Sequence, residues 1–524
     1  MNLMNLMVPK FKSIHHLLII LSILWIGTFY IQERFITYNT ITKCNWPNLS
    51  QSVSSQSQSE SSLPSPSRAN ILLIADPQLI DQHTYPGRNK LLLKLSQHTV
   101  DIYLKKNYKY LLQHLQPNYV IFLGDLLDNG RGSDDSYFKS QYNRFNKIFY
   151  NNYNKRYVQN TNWFTNLPGN HDIGFGDLIN TNTRQRFIEH FGDQQIKTIN
   201  GADLIMLDTP SLSSSNEAIN AKSKEFLISN FQNQPKTNHR ILLSHVPLYR
   251  DPETSCGLYR ETKKFDVLGH GYQYQNSLKP DISKYLLDLV QPDLIFSGDD
   301  HDYCDVNHHI TDGEHEQNFR EITVKSISLA MGIKYPAVQL LSYTDEEATF
   351  NYDSEICYLQ TPYWNIIHYV FMSIISVLMI LWWNVKQKPS RFTYTSLLPI
   401  YSHSTVNIPF ESHSKKIHRF LKEQDEEEKT ELIDSPTSSS LSSTTYTLPN
   451  TKISSIPKYT FTQTNHSKLS TTFKNSKLGK VYILNKRRMF TFMKRWNLFS
   501  FGKNILVLGG IVIAIYYIGF CLTL

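Results

Sequence analysis

Five short loops carry the residues that could do chemistry. They are ADPQL with Asp76 and Gln78, GDLLDNGR with Asp125, Asp128, Asn129 and Arg131, LPGNHD with Asn170, His171 and Asp172, SHVPLYR with His245, and SGDDHDY with Asp299 and His301. Carboxylate, carboxamide and imidazole groups are the donors of a divalent-metal site. Taken singly each loop says little, because an aspartate after a strand is more often a helix cap or a turn former. Recurrence carries the inference. Each loop begins where an apolar run stops, and a sheet of this type gathers its strand ends at one edge.

The elements that must position these residues are short apolar runs: ILLIA (71–75), YVIFLG (119–124), WFTNLPG (163–169), DLIMLD (203–208), ILLSH (241–245) and DLIFSG (293–298). Because the runs are largely continuous rather than alternating, they predict a sheet covered on both faces. Helical patterns at 91–115 and 282–290 lie between them, so the domain reads as α/β.

Elsewhere the chain of 524 residues departs from a simple globular composition. Segments 13–32, 363–385 and 505–524 contain no Asp, Glu, Lys or Arg and are long enough to cross a bilayer. The first could be a cleaved secretory signal, but ERFITYNTITKC after it offers no small-residue cleavage pattern, which favours an uncleaved anchor. Lys10 and Lys12 before the first span, Lys386, Lys388 and Arg391 after the second, and Arg487, Arg488, Lys494, Arg495 and Lys503 before the third predict one topology. Residues 1–12 and 386–504 are then cytosolic, the latter largely disordered and Ser/Thr-rich, while 33–69 form a flexible lumenal stalk and 346–362 a lumenal connector. Much of the net charge of +8 lies in the juxtamembrane clusters, so the lipid bilayer is the expected partner and nucleic acid is discarded. Cys44 and Cys357 each lie close to a span, and Cys256 and Cys304 each follow a candidate site loop. Pairing 44 with 357 and 256 with 304 is expected, with free thiols as the alternative.

In their order the five loops resemble the blocks D-x-H, G-D-x-x-D, G-N-H-D/E, H and G-H-x-H of the calcineurin-like metallophosphoesterases. GDLLD and GNHD match outright, and the His of SHVP fits the fourth block. Within that family the chain is similar to the membrane-bound group that remodels the GPI-anchor glycan, through IADPQLIDQHTYPGR (74–88), HVPLYR followed by SCG (245–257), GDDHDYC (298–304) and the anchored layout. The resemblance implies a metallophosphoesterase-type β-sandwich flanked by helices over 70–345, in addition to the three transmembrane helices. It also implies two divalent metal ions held about 3.5–4 Å apart. Asp125 would bridge them, with Asp76 and His301 on one and Asn170 and His245 on the other. His171 would orient the phosphate and protonate the leaving alkoxide, and Asp128 would orient His171 or a backbone turn.

Two positions depart from the family pattern. Gln78 and Asp299 stand where histidines are usual, offering oxygen for nitrogen and shifting preference toward harder ions such as Mn²⁺. Asp299 reads as a direct ligand, Gln78 as either direct or water-mediated, and Asp300 as dispensable. Tyr85 and Arg88 beyond the first block, Arg131 after the second and His270 in the insertion LGHGYQYQN could touch substrate, with solvated loop as the alternative. By resemblance the activity would be removal of ethanolamine-phosphate from a mannose of the GPI glycan. GPI-anchored proteins leaving the endoplasmic reticulum would be the substrates, in the membrane of that compartment or the early Golgi, with vesicle cargo receptors as further partners. The alternatives are another secretory-pathway phosphoester, or a transport adaptor without catalysis.

Overall fold

The computed structural model describes residues 13–49, 68–150, 155–312, 315–346, 349–386 and 498–523. Helix α1 (Ile14–Tyr30) continues through a π turn into α2 (Ile36–Ile41). There follow β1 (Ala69–Ile74), α3 (Lys90–Leu115), β2 (Tyr119–Phe122), α4 (Asp135–Phe149), β3 (Trp163–Phe164), the single turn α5 (Asn170–Ile173) and α6 (Thr181–Phe191). The second half comprises β4 (Gln195–Ile199), β5 (Ala202–Met206), α7 (Thr209–Leu212), α8 (Glu217–Phe231), β6 (His239–Leu243), the small hairpin β7 (His270–Gly271) and β8 (Tyr274–Gln275), α9 (Pro280–Val290) and β9 (Leu294–Ser297). Two long hairpins, β10 (Cys304–Asp312) with β11 (His315–Thr323) and β12 (Ala337–Glu346) with β13 (Thr349–Tyr358), precede helices α10 (Pro362–Lys386) and α11 (Leu498–Tyr516).

The strands make a five-stranded sheet, β13-β12-β1-β2-β3, and a six-stranded sheet, β10-β11-β9-β6-β5-β4. Alternation along each strand explains why the sequence runs are apolar throughout. In β1, Ile71 and Leu73 face Leu204, Ile241 and Phe296 of the other sheet, whereas Leu72 and Ile74 face Leu104, Tyr108 and Leu111 of α3. In the second sheet Ile205, Leu242 and Ile295 turn outward onto Leu227 of α8 and Leu286 of α9. Four layers result, helix-sheet-sheet-helix, and the central strands β1, β2, β6 and β9 are buried on both faces. This is the β-sandwich flanked by helices that the family resemblance implies.

The ends of the domain differ from expectation. Residues 349–358 are not part of a connector: they pair with β12 from Ala337–Tyr358 to Glu346–Thr349, so the sandwich runs to Tyr358 rather than to 345. Hairpins of this kind bury one face of each strand and show mixed polar composition, which hides them from a search for continuous apolar runs. Nor are residues 33–49 a flexible stalk. The first span is one 28-residue helix, Ile14–Ile41, whose last turns leave the apolar stretch and pack on α3. The rest of the predicted stalk, 50–67, and the predicted cytosolic segment from 387 to 497 lie outside the described residues.

Among the described residues three helices are long and apolar enough to cross a membrane: Ile14–Ile41, Pro362–Lys386 and Phe499–Cys521. They pack together, with Leu17 and Leu21 against Ile380 and Leu508, and Trp25 donating to the Ser376 hydroxyl at 3.1 Å. Both expected disulfides form, Cys44–Cys357 and Cys256–Cys304. The first ties the end of the anchor helix to β13. Beside it, Lys106 of α3 meets Glu33 at 2.5 Å with both side chains buried, and Tyr369 of α10 donates to the same carboxylate. A buried pair resists loss of one partner far more than loss of both. Lys106→Met is therefore expected to cost about 3–5 kcal/mol, whereas Lys106→Met with Glu33→Leu should recover most of that, read by melting of the full chain in detergent. Equal losses in the single and double variants would show that the pair does not couple domain to membrane.

Candidate metal centre

The five loops leave the C-terminal ends of parallel strands: Asp76 after β1, Asp125 after β2, Asn170 after β3, His245 after β6 and Asp299 after β9. Three of these strands belong to one sheet and two to the other, so the site sits at a shared edge of the sandwich. The chain must turn sharply there. Asp76, Gln78, Asp125, Asp299 and His301 all hold positive φ, at 49°, 34°, 48°, 66° and 65°. A non-glycine residue in that region costs of order 1 kcal/mol or more, and such strain concentrates at functional sites. Glycines allow the close approach: a Cβ at Gly124 would lie 2.5 Å from His245 Nδ1, and one at Gly169 would lie 2.0 Å from Asp125 Oδ1.

Asp76, Asp125 and His245 are fully buried, with ligand atoms within 4.8 Å of one another. His245 Nδ1 is 2.8 Å from the Leu123 carbonyl. Its Nε2 lies 3.4 Å from Asp125 Oδ1, 3.3 Å from Asp299 Oδ1 and 3.3 Å from Asn170 Oδ1. The Asp299 amide donates to Asp76 Oδ1 at 3.1 Å. Burial pushes the Asp76 carboxyl well above the usual range, and against the pull of His245 the negative Asp125 and Asp299 push it the same way. For Asp125, burial is outweighed by the His245 and His171 imidazoles, which hold its carboxyl below the ordinary value. Burial would likewise discharge His245, but Asp125 and Asp299 hold its pKa well above the ordinary imidazole value. Such crowding of carboxylates is what a bound cation relieves.

Two orphaned atoms point the same way. Asp76 Oδ2 and Gln78 Oε1 are buried without a hydrogen-bond partner. Gln78 spends its amide hydrogen on Asp128 Oδ1 at 3.2 Å, which leaves the oxygen as its free donor atom. With Asn170 and His301 beside them, these oxygen and nitrogen donors fit divalent cations.

A cavity of about 440 Å³ opens above the cluster, lined among others by Gln78, Asp128, Arg131, His171, His301 and Met331. His171 Nδ1 lies 2.6 Å from the Asp128 carbonyl, an acceptor, so Nδ1 carries the hydrogen and Nε2 is left free. The Asp128 carboxylate stands 3.9 Å from the same nitrogen, fixed by Gln78 and by the Thr84 hydroxyl at 2.6 Å. Asp128 thus positions His171 chiefly through its backbone.

The expected substrate residues fare differently. Arg131 reaches the cavity, but its guanidinium donates to the carbonyls of Asn170 at 3.0 Å and Gln273 at 3.2 Å, so it braces the Asn170 turn. Tyr85 and Arg88 stack on each other, 3.6 Å from guanidinium to ring centroid, and neither lines the cavity. His270 is exposed, bonded to the Leu268 carbonyl, and is not brought to the site; Gln273 is the residue of that insertion that reaches it. Asp300, expected to be dispensable, has a partner of its own. Arg260 holds it through two contacts, one of them 3.2 Å, and burial pushes its carboxyl up to about 6. His83, in the same loop as Tyr85 and Arg88, does line the cavity, and so does Thr84, which nothing in its spacing distinguishes from a turn residue. Asp172 was visible as the last letter of GNHD. It accepts from the amides of Leu126, Leu127 and Gly169, clamping the second loop to the third.

The calcineurin-like phosphoesterase family matches residues 69–303, which hold all five loops. Cell division control protein 1 of Saccharomyces cerevisiae is 38% identical over 358 residues, 66% of this chain and 70% of that protein. The chain belongs to the calcineurin-like phosphoesterase family. Metallophosphoesterase 1 of Xenopus laevis is 28% identical over 340 residues, 57% of this chain and 74% of that protein. The same-named protein of Ailuropoda melanoleuca is 26% identical over 295 residues, 53% of this chain and 69% of that protein. As a calcineurin-like phosphoesterase the chain is a metal-dependent phosphoester hydrolase, and its three apolar helices associate it with a membrane.

His171→Ala is expected to lower hydrolysis of a chromogenic phosphodiester by about 10²- to 10⁴-fold while the melting temperature holds. Equal turnover by the variant would remove His171 from the chemistry. Asp300→Asn should lower both melting temperature and rate, because it loosens the loop that carries Asp299 and His301. An unchanged melting temperature would mean that the Arg260 pair does not hold that loop.

Proposed function

We propose that this calcineurin-like phosphoesterase is a two-metal phosphodiesterase that removes ethanolamine-phosphate from a mannose of the GPI-anchor glycan. It would work on the lumenal side of the endoplasmic reticulum membrane or early Golgi and support export of GPI-anchored proteins. The observation that carries this reading is the way the catalytic domain is bound to its membrane helices. The buried Glu33–Lys106 pair and the Cys44–Cys357 bridge hold the site to the bundle, so its reach is confined to substrates near the bilayer. A glycan anchored in the same bilayer meets such a site at high effective concentration, whereas a free phosphoester gains nothing from it. The oxygen-rich substitutions Gln78 and Asp299 support Mn²⁺ as the ion.

Asp76, Gln78, Asp125, Asn170, His245, Asp299 and His301 would hold the ions. A divalent pair supplies neutralisation of the phosphoryl oxygens and activation of water. The chain supplies the rest. Asp125, fixed by the His171 amide at 2.9 Å, keeps the second and third loops in register. His171, with Nδ1 committed to the Asp128 carbonyl, presents Nε2 to the cavity and in its protonated form gives that proton to the departing sugar oxygen. The Asp128 carboxylate stabilises the charge of that imidazolium across 3.9 Å.

Chelation of the purified full chain is expected to abolish diester hydrolysis, with Mn²⁺ restoring it better than Ca²⁺. Mass spectrometry of GPI glycans from cells lacking the protein should find retained ethanolamine-phosphate, restored to normal by the wild type and not by His171→Ala. Unchanged glycans together with intact diester hydrolysis would transfer the activity to another secretory-pathway phosphoester. Unchanged glycans without hydrolysis would favour the adaptor reading.

A further inference from the structure

The larger of the two cavities that matter here lies away from the metal centre. A space of about 670 Å³ opens between the membrane helices and the catalytic domain, within the range that holds small organic ligands. Ile36 and Thr40 of α2 form one wall, Trp364 and His368 in the first turns of α10 another, and the loop from Leu258 to Glu261 closes it from the domain side. Its walls therefore include turns of two spanning helices where these leave their apolar stretches, the level of the membrane-water interface. Tyr259, Tyr335, Tyr358 and Trp364 ring it, side chains that favour that level.

Three features narrow what the space takes. Leu258 is 99% exposed at the rim, an arrangement that water disfavours and an acyl phase stabilises. The charged lining residues are already satisfied: Arg260 pairs with Asp300, and Glu261 pairs with Lys325 at 2.6 Å and accepts from the amides of Lys334 and Tyr335. An anionic head group or a sugar thus finds few groups left to bind. Thr361, in contrast, is 8% exposed, and its hydroxyl has no partner among the described residues. A single buried donor in an apolar wall suits one carbonyl oxygen.

We infer that this cavity seats one acyl chain of a bilayer phospholipid, entering between α2 and α10, with its ester carbonyl accepting from Thr361 and Leu258 immersed in the interface. The site is tied to the metal centre without being part of it. Cys256 is bonded to Cys304, the Arg260 guanidinium holds Asp300, and the amides of Glu261 and Thr262 donate to Asp302 at 2.8 and 2.7 Å. The loop that closes over the lipid therefore buttresses the turn carrying Asp299 and His301. The inference rests on the membrane reading of the three helices and not on the identity of the substrate.

The test uses the full chain in nanodiscs of phosphatidylcholine doped with phosphatidylcholine bearing a diazirine on one acyl chain. After irradiation, peptide mass spectrometry maps the adducts. Adducts are expected on the peptides holding 258–261 and 358–364, in addition to those on the lipid-facing part of α10 around 370–378, which report insertion. Thr40→Trp, which fills the cavity, should abolish the first set several-fold below wild type and leave the second unchanged. Leu258→Glu, on a fully exposed position where folding is not at stake, should weaken labelling of 258–261. Labelling confined to the spans in wild type, or the same pattern in wild type and both variants, would overturn the proposal. So would cavity labelling that disappears on addition of a GPI-anchored protein, since the occupant would then be the substrate's lipid.

Discussion

Burying several carboxylates beside one imidazole, without water to solvate them, is the constraint on which the rest of this structure depends. Asp125 and Asp299 approach Asp76 and His245 so closely that they push the pKa of both upward. Such a cluster is unstable alone and becomes favourable only around a cation. Holding it in place takes five left-handed non-glycine backbones and glycines at which a methyl group would collide with a ligand. Strain of that kind survives only where the surroundings over-determine it.

The surroundings are two sheets packed face to face, each covered by helices on its outer side. Alternate residues of a strand such as β1 enter different cores, so a strand cannot slip by one residue without exchanging its two faces. Register is fixed thereby at the edge where the loops emerge. Asp172 then clamps the second loop to the third, the Ser326 hydroxyl binds the Asp76 carbonyl at 2.7 Å, and the Ser326 amide binds the His301 carbonyl at 2.9 Å. Loops of different sheets become one rigid rim.

The same logic extends to the membrane. A stalk alone would let the catalytic domain sample a wide volume. Instead the anchor helix runs past its apolar stretch into contact with α3, and a disulfide and a buried ion pair close the junction. The cost of burying Glu33 and Lys106 is offset only while each keeps its partner and Tyr369 keeps its bond to the carboxylate. The catalytic edge and the bilayer are thereby held in a set relation, and a cavity remains where the two meet.

The sequence by itself determined the elements whose pattern is local. Continuous apolar runs announced strands buried on both faces, three uncharged segments announced helices long enough to span, and the order of five loops announced the family. What it could not convey was decided by contacts between distant segments. Strand β13 has a mixed composition that reads as a connector until its partner β12 is seen. Glu33 and Lys106 look like solvated charges 73 positions apart. Tyr85, Arg88 and His270 have side chains suited to phosphate or sugar, but whether a loop residue faces the cavity depends on its packing, and here Thr84 and His83 take those places. Asp300 shows the same limit within SGDDHDY itself: residue type assigned the metal to its neighbours, and only the fold brought Arg260 alongside to give the middle carboxylate its own task. Side-chain chemistry is legible one residue at a time, whereas burial and partnership belong to pairs that only the tertiary structure brings together.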